Sequence, residues 1–288
     1  MRLRKYTSHS VLPALFTIAL FNSLARCGKT DDDQAPLNGC KEHSYETHLI
    51  SEDPLVIYID GFISKEEALQ LVSLRYATCP KLSKPTNQGN SENNFAPSKL
   101  FSDDGRVVAV DPNYRSSSTA TLGRDSLIQC IEARARAFPA YTSVTGAIKP
   151  LVVQRYGISN QYKDHYDWYP DGPYIDGNIE STFFVYIQAN CTGGGTNFPR
   201  LSARGLEGTG EDENLCQWID CDVPYDDGVT FRPVVGNAIF WKNLGDDGKG
   251  NVKTLHAGLP VTSGMKTGLN IWTWEKASDL KERFGSYV

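Results

Sequence analysis

Two stretches in the first half of the chain place apolar residues at helical spacing. Ser64 stands three residues before Glu67, which is the spacing of a capping box, and an apolar stripe follows as far as Leu74. A second stripe runs over residues 124–138 and ends before Pro139. The pattern therefore predicts one helix after Ser64 and another over 124–138.

From about residue 150 short β-branched and aromatic runs alternate with turns rich in Gly, Pro, Asn and Asp. Runs of this length, separated by such turn residues, are typical of antiparallel strands in a barrel or jelly roll. The predicted strands are 151–156, 162–169, 182–188, 229–232, 238–241, 254–257 and 269–275, preceded by an isolated run at 55–59. We expect an α+β fold that is mainly β, with helices first and a Gly- and acid-rich insertion at about 200–228.

The N-terminal segment has the charge and hydropathy of a targeting sequence. Arg2, Arg4 and Lys5 precede an apolar stretch over 11–24, and Ser23-Leu24-Ala25 offers a small-x-small cleavage site. The apolar run is short for a membrane span, so a cleaved signal peptide, an uncleaved signal-anchor and a cytosolic chain with an apolar start all stay open.

We therefore expect a signal peptide or signal-anchor over 1–25, a polar linker over 26–50 and a single domain over 51–288. The predicted location is the secretory pathway, either the endoplasmic reticulum lumen or outside the cell. Membrane attachment is expected only if the N-terminal segment stays uncleaved.

Cysteine usage and charge limit the class of protein. The chain has seven cysteines, of which Cys216 and Cys221 are close enough to close a small loop, and some disulfides are expected. No CxxC pair is present, which disfavours a zinc ribbon or a thioredoxin-type site. Asn190-Cys191-Thr192 is a glycosylation sequon. A net charge of −5 gives no reason to expect a nucleic-acid partner.

The chemistry-bearing pattern begins at His165-Tyr166-Asp167. Residues two apart on a strand point to the same face, so this imidazole and carboxylate can converge on one metal ion. The triplet alone is weak, because a surface histidine near an acid is the commoner explanation. His256 completes a set of two imidazoles and one carboxylate, which leaves open positions on Fe(II), although zinc accepts the same ligands.

Lys266 favours iron over zinc. It follows His256 by ten residues across a turn that contains Gly258 and Pro260, so the two side chains can lie on antiparallel strands. A cation in that place can fix the far carboxylate of 2-oxoglutarate, and hydroxyls of Tyr156 and Thr182 could bond to the same carboxylate. A solvated surface charge is the alternative for any single lysine.

The chain resembles the prolyl 4-hydroxylase-type 2-oxoglutarate/Fe(II) dioxygenases. The resemblance covers roughly residues 55–276 and rests on Arg115-Ser116-Ser117, Tyr156-Gly157, Tyr162, His165-x-Asp167, 182–186, 193–199, 233–240 and a block from His256 to Lys266. It departs from the family at Gly195, where an acid is usual, at Ile179, where an arginine is frequent, and in the insertion at 200–228.

The resemblance implies a double-stranded β-helix (jelly-roll) core. It also implies that His165, Asp167 and His256 bind Fe(II), and that Lys266, Tyr156 and Thr182 bind 2-oxoglutarate. The expected reaction is hydroxylation of an unactivated C–H by O2, most readily of peptidyl proline, with ascorbate as a possible reductant.

Two other functions stay open at this level. One is a small-molecule oxygenase of specialised metabolism that uses the same iron chemistry. The other is a non-catalytic member of the family that binds a ligand without turnover. The partner is accordingly a peptide or protein substrate, or a small molecule.

Overall fold

The structure is a computed structural model that describes residues 40–74, 95–101, 106–141, 143, 146–169, 177–202, 215–222 and 227–284. The segment 1–25, most of the segment 26–50 and much of the loop 80–105 lie outside the described residues. Within the part of the chain that is described, no helix is long and apolar enough to cross a membrane.

In the described part of the chain, three α-helices flank the sheets: α1 (Lys65–Leu74), α2 (Ser126–Arg136) and α3 (Ala277–Phe284). The capping box predicted before α1 is present, because Glu67 N donates to Ser64 Oγ at 3.1 Å and Ser64 N donates to Glu67 Oε2 at 2.9 Å. Arg134 of α2 forms two hydrogen bonds of 2.9 Å with the Glu67 carboxylate. This bidentate pair fixes α1 against α2.

The strands all pair antiparallel and form two main sheets. In chain order they are β1 (Glu46–Glu52), β2 (Leu55–Asp60), β3 (Ala96–Pro97), β4 (Leu100–Phe101), β5 (Val107–Ala109), β6 (Ser118–Thr121), β7 (Val152–Tyr156), β8 (Tyr162–His165), β9 (Asn178–Gly193), β10 (Thr196–Phe198), β11 (Val229–Phe231), β12 (Ala238–Lys242), β13 (His256–Gly258) and β14 (Val261–Glu275).

The large sheet has the order β1-β2-β12-β9-β14-β7-β6-β3, the small sheet has the order β11-β10-β13-β8, and β4 and β5 form a separate two-stranded sheet. From β7 to β14 the chain passes repeatedly between the sheets, with β7, β9, β12 and β14 in the large one and β8, β10, β11 and β13 in the small one, in the manner of a double-stranded β-helix. The predicted jelly-roll core is therefore confirmed.

The alternation of side chains along the strands separates two apolar cores. In β12, Phe240 packs among residues of α1 and α2, whereas its neighbour Trp241 packs between the two sheets. β9 divides in the same way, with Phe183 on the helix side and Phe184 between the sheets. Successive strand residues face opposite ways, so one sheet supports both cores.

Several boundaries differ from those expected. β1 begins at Glu46, inside the segment expected to be linker, and the disulfide Cys40–Cys130 ties this segment to α2. β9 and β14 have 16 and 15 residues and extend beyond their predicted bounds, because they pair with each other along most of their length.

The insertion is described only in part. The disulfide Cys216–Cys221 closes a short loop there, and Trp218 inside this loop packs on Tyr58 with ring centroids 5.2 Å apart. Trp218 thereby joins the core between the two sheets.

Candidate active site

The two histidines of the predicted metal site lie opposite each other on adjacent strands. His165 ends β8 and pairs directly with His256 at the start of β13. Asp167 follows β8 by two residues, and its Oδ1 lies 3.9 Å from the Nε2 of each histidine. One ligand atom from each of the three residues falls within 4.8 Å of the other two. The structure thus brings together all three predicted ligands.

Hydrogen bonds fix the histidine tautomers. Each Nδ1 faces a backbone carbonyl, that of Lys163 for His165 at 2.8 Å and that of Thr254 for His256 at 2.9 Å. A carbonyl can only accept, so each Nδ1 carries the proton and donates it. Each Nε2 then presents a lone pair towards Asp167, which is the arrangement that metal-binding histidines adopt.

The Asp167 carboxylate is oriented from its other oxygen. Asp167 Oδ2 accepts hydrogen bonds from Thr182 Oγ1 at 2.8 Å and from Trp272 Nε1 at 3.0 Å. Oδ1 is left towards the histidines. Two donors on the distal oxygen are the usual support for a metal-binding carboxylate.

The structure gives the side chain of Thr182, which the sequence predicted to bind the co-substrate, partners within the protein. Its hydroxyl donates to Asp167 and accepts from Asn243 Nδ2 at 2.9 Å, so both of its hydrogen-bonding directions are used inside the protein. Thr182 is also absent from the described residues that line the pocket beside the metal site. Sequence reasoning could not detect this, because a threonine on a strand carries no sign of the side chain that will face it.

Burial controls the charge of the metal site. The pKa of His165 lies well below its usual value because burial penalises the imidazolium, and the neighbouring His256 lowers it further. A neutral imidazole is the form that binds a metal. The donor set of two imidazole nitrogens and one carboxylate fits Fe(II), and by itself it would also accept zinc.

Lys266 lies in the same pocket with its side chain fully buried. Its Nζ donates to the carbonyl of Gly194 and stands 4.5 Å from the centre of the Tyr156 ring. Among the described residues no carboxylate forms an ion pair with it. Burial lowers the pKa of Lys266 to about 8, and the Cys191 thiol nearby opposes this slightly. A buried ammonium with so little compensation suits an anionic ligand.

Tyr156 lies directly across from Lys266, since the two residues pair in the β7–β14 ladder. The Tyr156 hydroxyl donates to Gln154 Oε1 at 2.6 Å, and both side chains line the pocket. Burial raises the pKa of Tyr156 to about 12, so the hydroxyl stays protonated and gives its proton to Gln154. The structure places Tyr156 beside the lysine, and its predicted contact with the co-substrate stays a prediction.

Comparison with proteins of known function yields prolyl 4-hydroxylases as relatives. Prolyl 4-hydroxylase 1 of Arabidopsis thaliana is 25% identical over 235 residues, which cover 80% of this chain and 72% of the plant protein. Prolyl 4-hydroxylase subunit alpha-2 of Gallus gallus is 27% identical over 179 residues, 60% of this chain and 28% of the subunit. The chain is a relative of the prolyl 4-hydroxylases, which are 2-oxoglutarate/Fe(II) oxygenases.

No family model matches the chain. The viral collagen prolyl hydroxylase of Paramecium Bursaria Chlorella virus-1, solved as a 2OG complex, aligns with a TM-score of 0.48 at 21% identity, over 76% of this chain and 95% of the viral one.

The residues present fit the groups that such an oxygenase needs. The three ligand atoms fit Fe(II), and the buried ammonium of Lys266 in the same pocket fits the carboxylate of 2-oxoglutarate. Asn270 also lines this pocket, and its buried amide nitrogen has no hydrogen-bond partner in the part of the chain that the structure describes. The protein is a 2-oxoglutarate- and Fe(II)-dependent oxygenase.

Sequence reasoning missed several residues of this pocket. Thr196 of β10 lines it, and its Oγ1 accepts a hydrogen bond of 2.8 Å from the Tyr186 hydroxyl. The Thr196 proton is therefore free to be donated into the pocket. The signal was available, because Thr196 belongs to the Gly-rich turn that carries part of the family resemblance. Gln154 and Asn270 could also have been predicted. Strand alternation puts Gln154 on the same face as Tyr156, and Asn270 on the same face as Lys266.

The departure from the family at Gly195 has a steric reason. A Cβ on Gly195 would lie 2.6 Å from Thr230 Cγ2 and 3.2 Å from the Phe231 carbonyl oxygen. An acidic side chain at this position would collide with β11. The other departure, Ile179, is buried in β9 with 4% of its surface exposed.

Proposed function

We propose that this oxygenase hydroxylates prolyl residues in peptides or proteins. The observation that carries the oxygenase chemistry is the single pocket with three metal ligands at one end and the buried Lys266 at the other. The names of the relatives supply the substrate class. The groove described below supports a peptide rather than a metabolite.

The residues of the chain have separable roles in this reaction. His165, Asp167 and His256 would hold Fe(II), while Lys266, with Tyr156 and Thr196, would bind and orient 2-oxoglutarate. Bound together, Fe(II), 2-oxoglutarate and O2 supply an oxidant strong enough to hydroxylate an unactivated C–H bond, with succinate and CO2 as co-products. The burial of the pocket excludes water, which strengthens the electrostatic attraction between Lys266 and a carboxylate.

An open groove of about 380 Å³ adjoins the pocket and shares Tyr162 and Gly258 with it. Its walls come from Tyr114, from β8 and from the turn between β13 and β14. The Tyr162 ring stacks on the His165 ring with centroids 3.4 Å apart, so a ligand in the groove lies next to a metal ligand. A groove that is open along the surface can accept a chain longer than the residue that reacts.

The test is a turnover assay with Fe(II), 2-oxoglutarate and ascorbate as reductant. We expect succinate formation that depends on 2-oxoglutarate and is stimulated by proline-containing peptides, with hydroxyproline detected in the product. A panel of free amino acids, short peptides and terpenoids runs in parallel. Hydroxylation of a small molecule without prolyl turnover would replace the proposed substrate class by the alternative, and the absence of succinate would end the oxygenase assignment.

We also propose that the protein works in the secretory pathway. The signal-like N-terminus supports this proposal, as do the pairs Cys40–Cys130 and Cys216–Cys221, since disulfides persist in oxidising compartments. The check is expression in a eukaryotic host, followed by N-terminal sequencing of the product recovered from the lumen or medium. An intact N-terminus on a protein confined to the cytosol would contradict it.

A further inference from the structure

One buried amide in the pocket has no hydrogen-bond partner among the described residues. Asn270 of β14 is only 4% exposed, its Nδ2 is buried without a hydrogen-bond partner, and its side chain lines the pocket. Its Oδ1 makes no hydrogen bond to any described residue either. Leaving a buried polar group unsatisfied costs on the order of 1–3 kcal/mol, so natural proteins rarely keep such a group without a use.

The strand geometry places Asn270 between the two ends of the pocket. Residues 266, 268, 270 and 272 of β14 share one face, because side chains alternate along a strand. Lys266 marks one end of this row, and Trp272, which donates to the metal ligand Asp167, marks the other. At a rise of about 3.3 Å per residue, the Asn270 Cα lies roughly 7 Å from that of Trp272 and roughly 13 Å from that of Lys266.

The residues next to Asn270 leave this amide directed at the pocket. Its cross-strand neighbours are Phe184 of β9 and Val152 of β7, and neither side chain can form a hydrogen bond. Gly268, between Asn270 and Lys266, has no side chain, and the Phe184 ring occupies the place where a Cβ would lie, 2.2 Å from its nearest atom. The apolar surroundings make an unpaired amide costly and a polar ligand favourable.

We infer that Asn270 is a co-substrate-binding residue, which donates its side-chain amide to the metal-side end of the bound 2-oxo dicarboxylate. This inference rests on the proposed function. Lys266 fixes the far carboxylate, and Asn270 supplies a second, uncharged contact near the metal. A ligand held at two places along its length has one orientation in the slot. Asn270 would thus hold and orient the metal-side end of the co-substrate.

The matched control for Asn270 is Asn237, which is equally buried at 4% exposure but fully bonded. Asn237 Nδ2 donates to the Tyr58 hydroxyl at 2.9 Å, and Asn237 Oδ1 accepts from Gly61 N at 2.9 Å. It lies outside the residues that line the pocket. Replacement by leucine therefore removes satisfied hydrogen bonds at Asn237 and an unsatisfied amide at Asn270.

The experiment measures binding of 2-oxoglutarate to full-length protein loaded with Mn(II), by titration calorimetry, together with the thermal midpoint of the ligand-free protein. For Asn270→Leu we expect about tenfold or greater weakening of 2-oxoglutarate binding, the loss of one hydrogen bond to a charged group, with no fall in the midpoint. For Asn237→Leu we expect a lower midpoint and unchanged binding. If Asn270→Leu does not fold, Asn270→Ala gives the same comparison.

The outcomes separate this inference from the proposed function. Wild-type protein that fails to bind 2-oxoglutarate would refute the proposed function itself. If the wild-type protein binds 2-oxoglutarate and the Asn270→Leu variant binds it with a dissociation constant within twofold of the wild-type value, only the role of Asn270 is refuted. A lower midpoint for Asn270→Leu with unchanged binding would make Asn270 structural, and that too overturns the inference.

Discussion

The two ends of the pocket differ in how completely the protein satisfies its own polar groups. At the metal end, each ligand has a partner: the histidine Nδ1 atoms donate to carbonyls, and Asp167 Oδ2 accepts from Thr182 and Trp272. At the lysine end, a fully buried ammonium has one carbonyl and an aromatic face. Between the two ends, the Asn270 amide nitrogen has no hydrogen-bond partner among the described residues.

This difference follows from what each end has to do. A metal ion tolerates little error in ligand position, so its ligands are fixed in advance by hydrogen bonds. An anionic co-substrate brings its own hydrogen-bond acceptors, so the donors that receive it must stay available until it arrives. Such availability costs stability in the ligand-free protein.

The largest expected effect comes from removing a metal ligand. His165→Ala or Asp167→Ala should reduce turnover to assay background while circular dichroism and the thermal midpoint stay near those of the wild type, since these residues lie at the end of a short strand. Metal content after dialysis should fall in parallel. His43→Ala, a histidine outside the pocket, is the control. Retained turnover in either ligand variant would mean that the metal lies elsewhere.

Removing the charge at the lysine end should affect co-substrate binding rather than metal binding. Lys266→Met should raise the KM for 2-oxoglutarate by at least about 30-fold, because truncating one partner of a buried charge pair costs 2 kcal/mol or more. The ligand-free protein should become more stable, since an incompletely paired ammonium leaves the interior. Lys149→Met is the control, as Lys149 stands 4.1 Å from the Trp274 ring outside the pocket. An unchanged KM would remove Lys266 from the co-substrate site.

Two threonine variants give opposite results if the two ends are distinct. Thr182→Val should weaken metal affinity about tenfold through loss of the hydrogen bond to Asp167, with the KM for 2-oxoglutarate unchanged at saturating metal. Thr196→Val should raise that KM and leave metal affinity alone. Steady-state kinetics at varied Fe(II) and varied 2-oxoglutarate distinguish the two. A raised co-substrate KM for Thr182→Val alone would restore the role that the sequence suggested for it.

The smallest expected effect is a pH dependence at the lysine end. Burial lowers the pKa of Lys266 to about 8, so its ammonium is lost as pH rises through that value. The KM for 2-oxoglutarate should then rise about fourfold between pH 7 and pH 8.5. The folded pKa lies below the unfolded one, so the cost of the buried charge is full below pH 8 and is relieved above it. Lys266→Met should show no such rise.

Chemistry that depends on residues close in sequence was predictable. His165-x-Asp167 lies at the end of one strand, and His256 precedes Lys266 across a turn, so strand periodicity was enough to propose both groups. Helix caps were equally local, and Ser64 and Glu67 form the expected box. Periodicity left a barrel and a jelly roll both open. The exchange of strands between two sheets was predicted only from the family resemblance.

Contacts between distant residues were not predictable, and they decided the roles inside the site. Thr182 and Tyr156 looked equivalent in the sequence as hydroxyl donors, yet one bonds to Asp167 and the other stands beside Lys266. The reason is that β9 carries Thr182 opposite Trp272, near the metal, whereas β7 carries Tyr156 opposite Lys266.

The sequence by itself determined the metal ligands, the lysine and the alternation that makes strands. Only the tertiary structure decided which hydroxyl serves which end of the pocket and which buried amide is left without a partner. Local pattern specifies the face of a strand on which a side chain lies, but the register between strands specifies what that side chain meets. Register over separations of about 100 residues, as between Asp167 and Trp272, is set by the packing of the whole sheet.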